Sequence, residues 1–314
     1  MPQNFHAVRY FEVGSAEAGQ RIDNFLLKIL KNVPRSHVYR LLRSGQVRVN
    51  KGRIKPTYRL RHGDQVRVPP VRQPEAGEIR PPDALCERLL GRILHEDSDL
   101  LVINKPAGLA VHGGSGLKFG LIEAMSFARS DLDFLELAHR LDRGTSGCLV
   151  LAKSREALGV LHEGFRSGKH VKLYQALVVG QWQQGEKDVC LALQAQRQRG
   201  GERIVEHDAE GRDAISHFRP LRIWPQASLM EVQIGTGRMH QIRVHASECG
   251  HPVAGDDKYG DQGAIRRMKA FGLRRMFLHA WRLNLDMNGH VIEVCADLPE
   301  ELNLVLENIE KAAA

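Results

Sequence analysis

Apolar residues recur at helical spacing in two stretches near the start of the chain. In RIDNFLLKIL, residues 21–30, Asp23 can cap a short helix whose apolar residues are available for packing. In PRSHVYRLLRSG, residues 34–45, the proline suits the first turn of a second helix and Gly45 can end it. The apolar residues available for packing on this second helix are Val38, Leu41 and Leu42, and the polar positions at i, i+4, i+7 spacing are Ser36, Arg40 and Arg43. The pattern predicts two small helices.

Two short segments with strict alternation follow these helices. QVRVN, residues 46–50, and DQVRVP, residues 64–69, place an apolar residue at every second position, which is typical of a half-buried strand. The pair Lys51-Gly52 supplies a turn after the first of them. Helices and strands together predict a compact α/β module over residues 1–72, with its core at about residues 20–68.

A proline-rich stretch separates this module from the rest of the chain. Residues 69–86 contain five prolines and show no apolar periodicity, which is typical of a semi-rigid, extended spacer. We therefore predict a linker over residues 73–88 and a larger domain over residues 89–314.

The larger domain shows strand patterns interleaved with a few helices. The strand candidates are GRILHED, LLVINKP, CLVLAKS, KLYQALVVG, AISHF and SLMEVQI. SREALGVLHEGF predicts a helix with Ser154 as its cap. Because strands and helices do not alternate regularly, the expected class is α+β with a mixed or largely antiparallel sheet, rather than a doubly wound parallel one.

Charge is concentrated in the N-terminal quarter. The 314 residues carry a formal net charge of +8, but residues 1–80 hold 16 Lys+Arg against 6 Asp+Glu, and the remainder holds 29 against 31. A one-signed, arginine-rich segment favours phosphate binding over a merely solvated face. The stretch from RIDNFL through VPRSHVYRLLRSGQVRVN to GDQVRVP resembles the small RNA-binding module named after a small-subunit ribosomal protein, the S-four module.

Several other classes of protein are disfavoured by the sequence. No apolar run approaches the ~20 residues that span a bilayer, and the N-terminus lacks the apolar core of a secretory signal peptide. Five scattered cysteines without a C-x-x-C pair argue against a disulfide framework or a zinc ribbon. VHGGSG, residues 111–116, lacks the Gly-Lys-Ser/Thr of a nucleotide-binding P-loop, and the histidines form no H-E-x-x-H pair. We expect a cytoplasmic protein without a metal, a cofactor or a membrane partner.

Two segments of the larger domain could carry chemistry. In HRLDRGTSG, residues 139–147, a tight turn could hold Asp142 at a cleft floor, with flanking arginines keeping the carboxylate ionised as a nucleophile or base. In GTGRMHQIRVHASECG, residues 235–250, a predicted helix begins where backbone N–H groups favour an anion. Arg238 lies near that helix start and Arg243 about one turn further on.

Taken together, the motifs are similar to those of a known family. INKPAGLAVHGG, HRLDRGTSG, KLYQALVVG and GRMHQIRVH occur in this order, and the chain resembles the pseudouridine synthases of the large ribosomal RNA, the RluA family, over essentially its whole length. The resemblance implies a catalytic domain with a central cleft that isomerises uridine to pseudouridine in large-subunit ribosomal RNA. It implies no cofactor, no metal and no obligate protein partner. The RNA could be free or part of an assembling ribosomal subunit.

The resemblance also implies roles for individual residues. Asp142 corresponds to the aspartate that attacks the flipped uridine covalently, at the ribose C1′ or at the base. Tyr174 corresponds to the tyrosine that stacks on the flipped base and could help to remove the C5 proton, and Arg243 to the basic residue paired with the aspartate. The residues expected to contact RNA are Arg140, His139, Arg238, His240, Arg35, Arg40 and Arg43.

Three other functions remain open at this level. A non-catalytic ribosome-assembly protein on the same scaffold would keep the basic module without needing an intact HRLDR string. A methyltransferase would need a glycine-rich cofactor loop after its first strand, which is not evident here. A hydrolase that cleaves the glycosidic bond and stops would share the first chemical step.

Overall fold

The chain forms two compact units, Met1–Ile79 and Arg80–Ala314. The computed structural model describes residues 7–15, 17–30, 33, 35–71, 80–113, 119–197 and 203–313, with the side chains of all of these except 35, 36, 195–197 and 203. Within this part of the chain, no helix combines the length and the apolarity needed to cross a membrane.

The start of the second unit differs from the predicted linker. Residues 83–88 were expected to be extended, but they form most of helix α3 (Asp83–Leu90), which follows Pro82. This helix buries Cys86 and Leu89 and packs on the core of the second unit. The burial of these apolar side chains therefore favours a helix despite the proline-rich composition. Residues 73–79 of the predicted linker lie outside the described residues.

The described part of the first unit combines two helices with a small antiparallel sheet. Its elements are β1 (Arg9–Glu12), α1 (Ile22–Ile29), α2 (Arg35–Arg43), β2 (Arg48–Val49) and β3 (Gln65–Val68). Strand β3 lies between β1 and β2. Both helices and the alternating strands form as the sequence pattern predicts, whereas β1 was not predicted because its four residues carry too short a pattern.

Asp23 has a different place from the predicted one. The residue before the helix is Arg21, and Asp23 lies inside the first turn of α1. Its buried carboxylate accepts hydrogen bonds from Arg21 Nη2 at 2.6 Å and from Tyr39 Oη at 2.8 Å. Asp23 therefore ties α1 to α2 instead of capping α1.

Helix α2 separates apolar and basic side chains as predicted. Val38, Leu41 and Leu42 are buried in the core of the first unit, and Arg40 and Arg43 are exposed. The side chain of Arg35 lies outside the described residues. The exposed pair leaves two guanidinium groups open to a phosphate-bearing partner.

The second unit contains a large mixed sheet with helices on both faces. Its elements after α3 are β4 (Ile93–Glu96), β5 (Leu100–Lys105), α4 (Leu121–Ala128), β6 (Glu136–Leu137), β7 (Ser146–Ala152), α5 (Arg155–Ser167), β8 (Val171–Val179), β9 (Lys187–Arg197), β10 (Arg203–His207), β11 (Arg212–Ile223), β12 (Ala227–Ile234), α6 (Gln241–Glu248), α7 (Gln262–Ala270), β13 (Leu278–Met287), β14 (His290–Cys295) and α8 (Glu300–Ala313).

The strand order agrees with the predicted fold class. Neighbouring strands run in the order β10-β9-β11-β12-β8-β13-β7-β5-β4, with β14 beside β13 and β6 beside β7. Almost all pairs are antiparallel, and β13 pairs with β7 in parallel. The α+β class with a mixed sheet is confirmed.

Alternate residues of the central strands enter different parts of the core. Leu101 and Ile103 of β5 pack with α3, α4 and α6, whereas Leu100 and Val102 of the same strand pack with α5. This alternation is the two-residue period of a strand buried on both faces. The site described next lies beside β8, near the middle of this sheet.

Candidate active site

A cavity of about 780 Å³ brings the predicted chemical residues together. Its wall combines residues 137–142, the start of β8, the end of α5 and the segment 237–243. Asp142, Tyr174 and Arg243 all line it. Asp142 and Arg243, which are 101 positions apart in the chain, thus share one cleft.

Asp142 lies in the tight turn that the sequence predicts. Its carbonyl oxygen accepts a hydrogen bond from Thr145 N at 3.1 Å, and the side chain is 27% exposed. Strand β7 starts immediately afterwards and pairs with β13 through Gly147. This glycine has a φ of 108°, and a Cβ on it would lie 2.1 Å from Ala280 O, so no larger residue fits there. The close strand pairing holds the turn, and with it Asp142, at the cavity.

Arg243 is held beside Asp142 by a carboxylate that the sequence reading missed. Its Nε and Nη2 donate to the two oxygens of Asp256, each at 2.7 Å, and both residues are buried. Arg243 Nη1 lies 3.5 Å from Asp142 Oδ2. Burial alone would lower the pKa of Arg243, but the hydrogen bonds and the charge of Asp256 raise the pKa above the ordinary arginine value. The guanidinium is therefore a fixed cation with one edge turned to Asp142.

His240 also faces Asp142. It precedes α6 in a left-handed conformation, with φ at 55°, and its Nε2 lies 3.8 Å from Asp142 Oδ2. Its Nδ1 lies 2.8 Å from the hydroxyl of Tyr259, which accepts a hydrogen bond from Val205 N. The hydroxyl proton of Tyr259 can then point to Nδ1, which leaves the imidazole proton on Nε2, toward Asp142. Burial lowers the pKa of His240, so the ring is neutral near pH 7.

Tyr174 contributes a buried phenol to the same cavity. It lies on β8, between Val232 of β12 and Ala280 of β13. Burial, followed by the charge of Asp142, raises the pKa of Tyr174 well above its ordinary value. The ring is consequently an uncharged aromatic wall at physiological pH.

The sequence of this chain is similar to those of known proteins. Residues 99–248 match the RNA pseudouridylate synthase family, and residues 20–66 match the S4 domain. The chain is 45% identical over 310 residues to the ribosomal large subunit pseudouridine synthase C of Haemophilus influenzae, covering 98% of this chain and 96% of that one. It is 46% identical over 312 residues to the protein of the same name from Escherichia coli strain K12, covering 98% of each. The chain belongs to the RNA pseudouridylate synthase family.

A solved structure supports the fold of this synthase. The structure named human RNA pseudouridylate synthase domain containing 4 is similar to it with a TM-score of 0.62 and 27% identity, over 73% of this chain and 96% of that one. The S4 match lies in the first unit and the synthase match in the second.

The arginines flanking Asp142 have other places than expected. Arg143 Nε donates to Gly108 O at 2.8 Å, and Arg140 is exposed at the rim of the synthase cavity. The structure instead places Arg243 and His240 within 4 Å of the carboxylate. The charged partner of Asp142 thus comes from a distant segment, because the short turn directs its neighbours elsewhere.

The predicted anion site at the start of α6 is partly occupied by the protein itself. Gln241 Oε1 accepts hydrogen bonds from Arg238 N at 3.0 Å and from Thr236 Oγ1 at 2.7 Å. The Arg238 side chain is exposed, although its Nε donates to Asp213 O at 3.1 Å. Arg238 therefore offers its remaining guanidinium nitrogens, and not its backbone amide, to a ligand.

His139 is an internal acceptor in this synthase. Its Nε2 accepts a hydrogen bond from Val150 N at 3.1 Å, and its ring packs 5.0 Å from that of Phe165. Burial lowers the pKa of His139 to about 3. The imidazole is neutral and engaged, which places it in the cavity wall and leaves its Nε2 unavailable to RNA.

Lys105 was also missed as a site residue. Its buried ammonium donates to the carbonyl oxygens of Pro106, Leu109 and Arg143 at 3.0, 2.8 and 3.3 Å. These bonds link the end of β5 to the turn that carries Asp142. A lysine in the apolar run LLVINKP is a signal that could have indicated such an internal cation.

No metal centre is evident in the parts of the synthase that the structure describes. Among those residues, no group of three or more His, Cys, Asp or Glu side chains is arranged to hold an ion. Residues 114–116 of the glycine-rich segment VHGGSG lie outside the described residues.

Proposed function

We propose that this synthase isomerises specific uridines in large-subunit ribosomal RNA by covalent attack of Asp142 on a flipped uridine. The observation that carries the proposal is the geometry of Asp142, whose carboxylate lies in the cavity 3.5 Å from an arginine that Asp256 holds in place. The choice of RNA is supported by the curated relatives, which are named ribosomal large subunit pseudouridine synthases.

The reaction rearranges bonds within one nucleoside. The N1–C1′ bond breaks, the base turns and a C5–C1′ bond forms, while the proton lost from C5 is balanced by a proton gained on N1. The bond that Asp142 forms to the substrate is broken again when the product forms, which restores the free carboxylate. An enzyme for this step needs a carboxylate nucleophile, a platform for the base and an enclosed pocket, because a paired base cannot be reached inside a helix. The synthase cavity supplies these features in Asp142 and Tyr174.

Tyr174 acts as the platform on which the flipped base stacks. Its raised pKa keeps the phenol protonated, so a phenolate is not available to take the C5 proton at neutral pH. Stacking on an aromatic face is worth about 1–3 kcal/mol per base, enough to offset much of the cost of unstacking.

Arg243 and His240 fix the direction of the nucleophile. The guanidinium stabilises the charge of Asp142 without enclosing it, because its two other nitrogens are bound to Asp256. The imidazole of His240 offers its Nε2 proton from the same side. We therefore assign His240 to positioning of Asp142 as well as to substrate contact.

The remaining basic residues contact RNA outside the reacting base. Arg140, at the cavity rim, would enter the stack that the flipped base leaves, and Arg238 would bind phosphate. In the S4 unit the exposed Arg40 and Arg43 would bind the backbone, as would Arg35. The partner is large-subunit ribosomal RNA in the cytoplasm, free or within an assembling subunit, with no obligate protein partner.

The test is product analysis with one substitution. Asp142→Asn keeps the shape of the side chain but removes the nucleophile, so pseudouridine formation should disappear while RNA affinity stays within about threefold, or ~0.7 kcal/mol. Pseudouridine mapping of large-subunit RNA from cells with wild-type, substituted or no synthase identifies the sites. Substantial turnover by the variant contradicts the assignment of Asp142. Release of free uracil by the wild type identifies a hydrolase instead.

A further inference from the structure

Lys172 is a buried lysine of the cavity wall that the mechanism above does not use. It lies on β8, two residues before Tyr174, so both side chains share one side of the strand and line the same cavity. The residue is only 5% exposed, and its Nζ lies 5.3 Å from the ring centre of Phe165.

The ammonium of Lys172 has no polar protein partner in the described part of the chain. Across those residues, its Nζ makes no hydrogen bond and no ion pair. Lys105 forms a useful contrast, because three carbonyl oxygens surround its buried Nζ. Lys172 is therefore largely buried like Lys105, but among the described residues its ammonium is compensated only by the cation–π contact with the ring of Phe165.

Asp142 lines the same cavity as Lys172, but its carboxylate is not within ion-pair distance of Nζ, and the other titratable groups of the cavity do not neutralise the lysine. His139 and His170 lie close enough for its charge to lower their pKa values further, after burial has lowered them, so both rings are neutral. Arg166 of α5 and Arg238 line the same cavity and carry the same sign as the lysine. Burial lowers the pKa of Lys172 to about 8, which leaves the ammonium mostly charged at pH 7.

An unpaired buried ammonium is costly for the folded protein. The effective penalty for burying one ion is several kcal/mol, and a methionine of similar length would avoid it. A desolvated charge that faces a cleft is a common feature of functional sites, where a ligand completes the pairing. The missing partner of Lys172 is then expected on the substrate.

The chemistry of the substrate supplies such a partner. When the N1–C1′ bond breaks, its electron pair leaves with the base, and the negative charge spreads over N1, O2 and O4 of uracil. If Asp142 adds to the base instead, the charge collects on O4. Both routes place negative charge on a carbonyl oxygen of uracil, so one cation beside the ring serves either route.

The position of Lys172 suits contact with the base. Two residues along a strand are about 7 Å apart, so the lysine lies within the reach of a pyrimidine stacked on Tyr174. A Cβ on Gly237 would lie 3.8 Å from Nζ, so the absence of a side chain there leaves space beside the ammonium.

We propose that Lys172 is a catalytic residue that donates a hydrogen bond to a carbonyl oxygen of the flipped uracil and stabilises the negative charge formed there. Lys172 keeps its proton throughout. The electron pair that leaves with the base when N1–C1′ breaks is used when the C5–C1′ bond forms. The proton lost from C5 is balanced by a proton gained on N1. This inference rests on the proposed function and names a residue that the sequence reading did not include.

The test compares substitutions that keep or remove the charge. Lys172→Met keeps the stem over Phe165, and Lys172→Arg keeps a cation. Lys169→Met, at an exposed lysine just before β8, is the matched control. Single-turnover rate constants and dissociation constants would be measured with the full chain and a ribosomal RNA fragment that the wild type modifies at one uridine.

We expect the Met variant to lose about 100-fold in rate, the range for loss of one donor to a developing oxyanion. Its RNA affinity should stay within about threefold of the wild-type value. The Arg variant should be at least tenfold faster than the Met variant. The control should keep the wild-type rate. The same rates would be measured with 4-thiouridine or 2-thiouridine at the target position. Because sulfur is a weak hydrogen-bond acceptor, the rate loss caused by Lys172→Met should be smaller on the substrate whose sulfur replaces the oxygen that Lys172 contacts.

Other results overturn the inference and leave the proposed function intact. A rate within threefold of wild type for the Met variant does so, and weakened affinity at an unchanged rate would indicate a phosphate contact. An Arg variant as slow as Met, with undiminished losses on both thio-substrates, would indicate a structural role. Failure of the wild type to modify any fragment of large-subunit ribosomal RNA would instead contradict the proposed function itself.

Discussion

Substitution of Asp256 should change the position of Arg243 while leaving its positive charge in place. Both of its carboxylate oxygens accept 2.7 Å hydrogen bonds from the guanidinium, and Oδ1 also accepts from Lys258 N and Tyr259 N. Asp256→Asn preserves the volume but offers one oxygen and an amide that repels the guanidinium. Arg243 Nη1, now 3.5 Å from Asp142, is then free to form a tight ion pair with the carboxylate of Asp142.

The size of the effect follows from the burial of the pair. Removing one partner of a buried ion pair costs about 3–5 kcal/mol, because the other charge stays buried and uncompensated. Since asparagine can still accept the two backbone hydrogen bonds, we expect about 3 kcal/mol of destabilisation for Asp256→Asn. Turnover should fall by about 100-fold, or ~2.7 kcal/mol in activation free energy, because Asp142, the proposed nucleophile, becomes engaged and displaced.

The neighbouring Asp257 provides the control for this substitution. Its Oδ1 lies 3.8 Å from Arg243 Nη2, but its side chain is 86% exposed. Asp257→Asn removes the same charge one residue away, and an exposed pair is worth only about 0–1 kcal/mol. Urea unfolding and single-turnover pseudouridine formation measure both variants. Equal effects of the two substitutions would refute the argument that buried geometry, rather than net charge, holds the site.

The pH dependence of stability gives a second measure of the same pair. Burial alone would raise the pKa of Asp256, yet its bonds with Arg243 hold it below the ordinary value. A lowered pKa means that this stabilisation is present above the ordinary carboxyl pKa of about 4 and is lost as pH falls through the folded-state value. The wild type should therefore lose more stability on acidification than Asp256→Asn does.

Two further expectations concern RNA binding and metals. Replacing Arg40 and Arg43 by alanine should make the dependence of log affinity on log salt shallower by about 1 to 2, because fewer counterions are released; an unchanged slope would mean that the S4 charge is only a solvated face. Activity on a prefolded RNA should survive exhaustive chelation, since the proposed isomerisation uses no metal ion. Loss of activity that zinc restores would contradict this mechanism, whereas a magnesium requirement would reflect folding of the RNA.

Local pattern was sufficient for most of the fold. The alternation in KLYQALVVG predicts β8, and Ser154 caps α5 as expected by accepting from Ala157 N. The linker was placed wrongly where Asp83–Leu90 forms a helix, because proline content outweighed a short amphipathic pattern. Periodicity describes how one segment meets a core, and it carries little information in segments of four to eight residues.

The contacts of the site were less accessible to sequence reasoning. Asp142, Tyr174 and Arg243 could be named from motifs, but Asp256 and Tyr259 act through hydrogen bonds that only the tertiary structure creates. The flanking arginines of HRLDR were expected beside the carboxylate, yet chain neighbours in a tight turn point in different directions. Sequence adjacency is a poor guide to which cation meets a buried acid.

The arrangement of two carboxylates on one arginine answers a conflict in the chemistry. A nucleophilic carboxylate needs a cation to keep it charged in a closed cavity, but a full two-bond ion pair would occupy the lone pairs that must attack. Arg243 resolves this by giving its two short bonds to Asp256, which is fully buried, and only a 3.5 Å contact to Asp142. The charge is thus provided while the nucleophile stays open to the cavity. The proposed mechanism therefore requires Asp256 as much as Arg243.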